Sequence, residues 1–134
     1  MLAKMIEDHD TIRGIAATLR GFLNNDGAPI GPLFASARWT LTRHLLRHLA
    51  TENLIFRDNA STARHATKPD APDPFEQRYR QHIDSWTPER IDSHWPRYCR
   101  ELGSILNTLD QRMAFEEREI YPRLTLGATA LAAA

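Results

Sequence analysis

Residues 99–122 read CRELGSILNTLDQRMAFEEREIYP, and their pattern decides the fold. Cys99, Leu102, Ile105 or Leu106, Leu109, Arg112 or Met113, Glu116 and Ile120 recur at steps of three and four. That period draws one stripe down an α-helix, the stripe a helix turns toward a core. Upstream, Pro96 suits the first turn of such a helix, with Asp92 or Ser93 as its cap, so the helix is expected over residues 94–121.

The same stripe recurs upstream. Leu2, Met5, His9, Ile12, Ala16, Leu19 and Leu23 form one over residues 2–23, which ends at Asn24-Asn25-Asp26-Gly27. Phe34, Ala37, Leu41, Leu45, His48, Glu52 and Ile55 form another over residues 33–57. Phe75, Tyr79, His82, Ile83 and Trp86 form a shorter one over residues 75–86. Between residues 58 and 74, three prolines within six residues exclude a helix and predict an irregular loop. Thr87-Pro88 can cap one further helical turn. No strand pattern is legible. The expectation is an all-α fold, an antiparallel up-down four-helix bundle, with residues 1–124 as one domain and residues 125–134 as an Ala-rich tail.

Composition narrows the function. The 134 residues suit one domain, and the net charge of zero lacks the basic excess of a nucleic-acid binder. One Cys makes neither an intramolecular disulfide nor a Cys-based zinc or iron–sulfur site. No apolar run is long enough to span a membrane, and the N-terminus turns acidic at Glu7-Asp8, so a cytoplasmic protein is expected. No nucleophile–base order or phosphate-binding loop is legible, so the chain reads as no enzyme.

The informative residues are the ionisable ones that interrupt apolar stripes: His9, His48, Glu52, His82, Arg112 and Glu116. Burying such a group is costly unless it is paired or bound to a metal. At about 1.5 Å per residue, His9 and His48 fall roughly 21 and 23 Å from the same end of the bundle. Glu52 and His82 both fall about 10 Å from the opposite end by the same count. The six are therefore expected in one interior region. His48-x3-Glu52 also places imidazole and carboxylate on one helix face, a donor pair suited to iron, manganese or zinc. His44, His65 and His94 read as solvated, and Cys99 as a small core residue.

These segments resemble the haemerythrin-like (HHE cation-binding) family. The match runs through Asp8-His9-Asp10, His48-Leu-Ala-Thr-Glu52 and the ending Glu116-Glu117-Arg118-Glu119-Ile120-Tyr121-Pro122, with His82 placed by position. The resemblance implies a non-haem iron centre, mononuclear or di-iron, serving oxygen binding, redox or nitric oxide sensing, or iron handling. Its ligands would be His9, His48, Glu52, His82 and Glu116, and its partner a small molecule such as O2 or NO. The chain departs from the family at two places: Asp58 stands where helix 2 of the family ends in Pro, and Arg112 stands where helix 4 carries its His. An Arg has no lone pair to give a metal and stays charged. Two readings stay open: a metal site, or a metal-free descendant in which Arg112 replaces the cation and pairs bidentately with Glu52 or Glu116. In the second, no cofactor is bound and the bundle is a regulatory module for a protein or small-ligand partner.

Overall fold

The computed structural model describes residues 2–58 and 72–124, and every secondary-structure element among them is helical. The elements are α1 (Leu2–Leu23), α2 (Pro32–Asp58), α3 (Pro74–Ser85), α4 (Pro88–Ser93) and α5 (Trp95–Phe115), with α5 running on into a π-helical turn, Glu116–Ile120. The helical path continues through residues 121–124. Most of the 58–74 loop, with His65, and the 125–134 tail lie outside the described residues.

Prolines open three of the helices. Asp73 adopts an extended backbone and accepts from the amides of Phe75 and Glu76, so Pro74 starts α3 at a position whose own amide is not needed. Thr87 does the same for α4, accepting from the Arg90 amide. Gly31, at φ 99°, makes the left-handed turn that lets Pro32 begin α2. The last helix departs from expectation. Its N-cap is His94, whose side chain does not cap it, because α4 takes Asp92 and Ser93 into its own last turn.

Cross-helix contacts fix the registers. Along α1 and α5, His9 meets Glu117, Arg20 meets Asp110, and Asn25 just beyond α1 accepts from the Trp95 indole. Between α1 and α2, the rings of His9 and His48 are 4.7 Å apart and those of Phe22 and Phe34 are 5.4 Å apart. Between α3 and α5, Arg112 reaches Asp73, Arg78 reaches Ser104 and Thr108, and His82 reaches Glu101. In each pair rising numbers on one helix meet falling numbers on the other.

The apolar stripes fill two separate clusters. The larger is built on Ile12, Ala16, Leu19, Leu41, Leu45, Leu49, Leu102, Leu106, Leu109 and Met113, with the rings of Phe34, Trp95 and Tyr98 at its far end. The smaller consists of Met5, Phe56, Ile120, Tyr121 and Leu124. The tryptophans divide: Trp86 and Trp95 are buried, whereas Trp39 is 60% exposed. Between the two clusters the helices present polar side chains.

Candidate metal centre

Four fully buried groups occupy that polar layer: His9 from α1, His48 and Glu52 from α2, and Glu116 from the π turn. One donor atom from each lies within 4.8 Å of the others, so the cluster can hold a metal ion. His9 Nε2 is 3.3 Å from Glu116 Oε1, and His48 Nε2 is 3.5 Å from Glu52 Oε1. Donors at roughly 2.0–2.2 Å from one ion stand about 3.0–3.5 Å apart on neighbouring vertices, so these two edges already have that length.

Both imidazoles are held from behind. His9 Nδ1 donates to Glu117 Oε2 at 2.6 Å, and Glu117 also takes Arg13 Nη2 at 2.6 Å. His48 Nδ1 donates to Asp8 Oδ2 at 3.3 Å, and Asp8 takes Lys4 Nζ at 2.6 Å. Because a carboxylate only accepts, each Nδ1 carries the proton and each Nε2 faces the centre, the usual orientation of a ligating His. His48 Nε2 is buried there without a hydrogen bond. Burial opposes ionisation of Asp8 and Glu117, yet the hydrogen bonds from Lys4 and His48 to Asp8, and from His9 and Arg13 to Glu117, prevail and hold both below the ordinary carboxylate value.

Arg112 sits at the edge of this layer, as its place on the stripe predicts, but it does not form a bidentate pair with one carboxylate. Its three nitrogens divide among three: Nε to Glu116 Oε2 at 3.2 Å, Nη2 to Glu52 Oε1 at 3.4 Å and Nη1 to Asp73 Oδ2 at 2.7 Å. Its guanidinium carbon also lies 5.6 Å from the centre of the Phe75 ring. Three carboxylates around one guanidinium leave an excess of negative charge. Burial raises Glu52 above its ordinary value, with Glu116 adding to the rise and His48 opposing it. Burial also works against the His48 imidazolium, but Glu52, Asp8 and Glu116 outweigh it and raise its pKa.

His82 does not join the centre. It is buried, with Nδ1 donating to Glu101 Oε2 at 2.6 Å, and its ring packs against Tyr79 and Tyr98. The Trp86 indole donates to the same Glu101 oxygen. The height count misplaced His82 because α3 begins level with the centre, where Asp73 meets Arg112, not at the end of the bundle. His82 stands eight positions after Pro74, so it lies about 12 Å further along. At the level of the centre α3 contributes Phe75 instead. His44 and His94 are exposed, in line with the solvated reading.

Four members of the site escaped the stripe analysis: Asp8, Asp73, Glu117 and Tyr121. Tyr121 donates to Glu52 Oε2 at 3.0 Å, its oxygen lies 3.0 Å from His9 Nε2, and its ring stacks on that of His9. Burial pushes the phenol well above its ordinary pKa, and Glu52 and Glu116 push the same way. Asp8, Glu117 and Tyr121 are adjacent in sequence to stripe residues, and that adjacency was the available signal. No helix among the described residues is long and apolar enough to cross a membrane. No protein-family model, curated protein or solved structure matches the chain.

Proposed function

We propose that the chain is a haemerythrin-like antiparallel four-helix bundle that binds one divalent non-haem metal ion, iron by preference. His9, His48, Glu52 and Glu116 are its ligands. The observation that carries this reading is the pair of imidazoles, each fixed at Nδ1 by an outer carboxylate and aimed by Nε2 at two buried carboxylates. Ligating histidines commonly carry such an outer carboxylate, and a mixed imidazole–carboxylate set suits iron, manganese or zinc.

Arg112 then limits nuclearity. It neutralises part of the acidic charge and lies against the oxygens that a second ion would need. The remaining excess of carboxylate charge, once Asp73 is counted, favours one divalent cation. Four protein donors leave coordination positions for a small exogenous ligand such as O2 or NO. The function that follows is binding, for redox or gas sensing or iron handling, rather than catalysis.

The contacts of Arg112 with both Glu52 and Glu116 favour a second reading. In it the guanidinium is the resident cation, no metal binds, and the bundle recognises a protein or small ligand. Elemental analysis of protein purified from iron-replete cells, with its ultraviolet–visible spectrum, separates the two. Iron near one per chain supports the metal reading. Absence of iron, persisting after anaerobic addition of ferrous salt, supports the second.

A further inference from the structure

We propose that Tyr121 is a fifth donor to this ion, binding through its phenol oxygen as phenolate; the proposal rests on the metal reading above. Its position is the first argument. The oxygen is 3.0 Å from His9 Nε2 and 3.0 Å from Glu52 Oε2. Those separations are shorter than the His9–Glu116 and His48–Glu52 edges of the same cluster, 3.3 and 3.5 Å. An ion bound by His9 Nε2 and Glu52 Oε2 would have this oxygen beside both donors. The ring is buried and stacked on His9 at 5.4 Å, and this packing holds the oxygen toward the centre.

The π turn is the second argument. In a regular α-helix two residues five apart are displaced by about 140° around the axis. Here the Tyr121 amide bonds back to the Glu116 carbonyl, five residues earlier, so one wide turn brings both side chains to the same face. The widened turn has a specific result: Glu116 and Tyr121 both reach the cluster, while Ile120 and Leu124 stay in the small apolar plug. Such turns are frequent at functional sites for this reason.

Proton arithmetic is the third. A phenol has one hydrogen, and here two acceptor atoms face it: the Nε2 of His9, whose proton is on Nδ1, and a Glu52 oxygen. Only one of them can receive that hydrogen. When a cation enters, the O–H bond breaks heterolytically, the electron pair stays on oxygen and is shared with the ion, and the proton leaves to solvent. The phenolate oxygen, His9 Nε2 and Glu52 Oε2 would then each present a lone pair to the cation. No electron is transferred in this ligation.

The test uses ferric iron supplied as its nitrilotriacetate complex. The iron-loaded wild-type chain should show a visible phenolate-to-iron charge-transfer band, and resonance Raman excitation in that band should enhance tyrosinate ring modes. Tyr121→Phe should keep one iron per chain, lose both signals and bind iron at least about tenfold more weakly. Iron binding without the band in wild-type protein overturns the proposal and leaves the metal reading standing. Persistence of the band in Tyr121→Phe also overturns it. Absence of iron binding by the wild-type chain overturns both. Should the variant fail to fold, the Raman spectrum of the wild-type protein decides alone.

Discussion

Arg112 is the residue on which the chemistry of the centre turns. Its guanidinium contacts Glu52, Glu116 and Asp73, and it is 12% exposed. Arg112→His removes the fixed charge and offers an imidazole one turn from Glu116. Iron affinity should rise, and a second iron per chain should become detectable by titration. The metal-free variant should lose about 3–5 kcal/mol of stability in denaturant unfolding, because buried carboxylates lose their cation. Unchanged affinity together with unchanged stability would remove Arg112 from the account. His82 tests the other buried imidazole. Burial lowers its pKa below the ordinary 6.5, and its bond to Glu101 offsets that only in part. The unfolded chain therefore takes up this proton first as pH falls. The stability that neutral His82 contributes is present above about 6.5 and declines from there down to the folded midpoint. An NMR titration of the His82 ring should give a midpoint under 6.5. A midpoint at or above that value contradicts the assignment.

At the scale of elements, the N-terminus of α3 is tied to the centre through one side chain. Asp73 Oδ1 caps the helix at the Phe75 and Glu76 amides, while Oδ2 pairs with Arg112. Asp73→Asn keeps a capping oxygen and gives up the charge, whereas Asp73→Ala gives up both. Alanine should therefore be about 1 kcal/mol more destabilising than asparagine in denaturant unfolding; equal losses would mean that the cap contributes nothing. This tie also explains what could be read from sequence. The apolar period placed α1, α2, α3 and α5 closely, since each stripe keeps its steps of three and four along its helix. It placed His9, His48, Glu52 and Glu116 in the interior for the same reason. It could not place His82, because the level at which α3 starts depends on the Asp73–Arg112 pair and not on helix length. Nor could it foresee Tyr121 in the site. A period of 3.6 residues sends Glu116 and Tyr121 to different faces, and only the π turn brings them together.

Across the whole molecule, two apolar clusters enclose one polar layer. The layer includes four buried ionisable side chains, His9, His48, Glu52 and Glu116, whose burial is costly in the absence of a partner. A bound ion converts that cost into stabilisation, since a ligand at a hundred times its dissociation constant adds about 2.7 kcal/mol to folding. The most direct test of the central claim is an anaerobic titration of the metal-free chain with iron(II), followed by calorimetry. A single saturable event at one iron per chain is the predicted result, with His48→Ala abolishing it. An absence of binding, a break at two irons per chain, or full binding by His48→Ala would contradict the account.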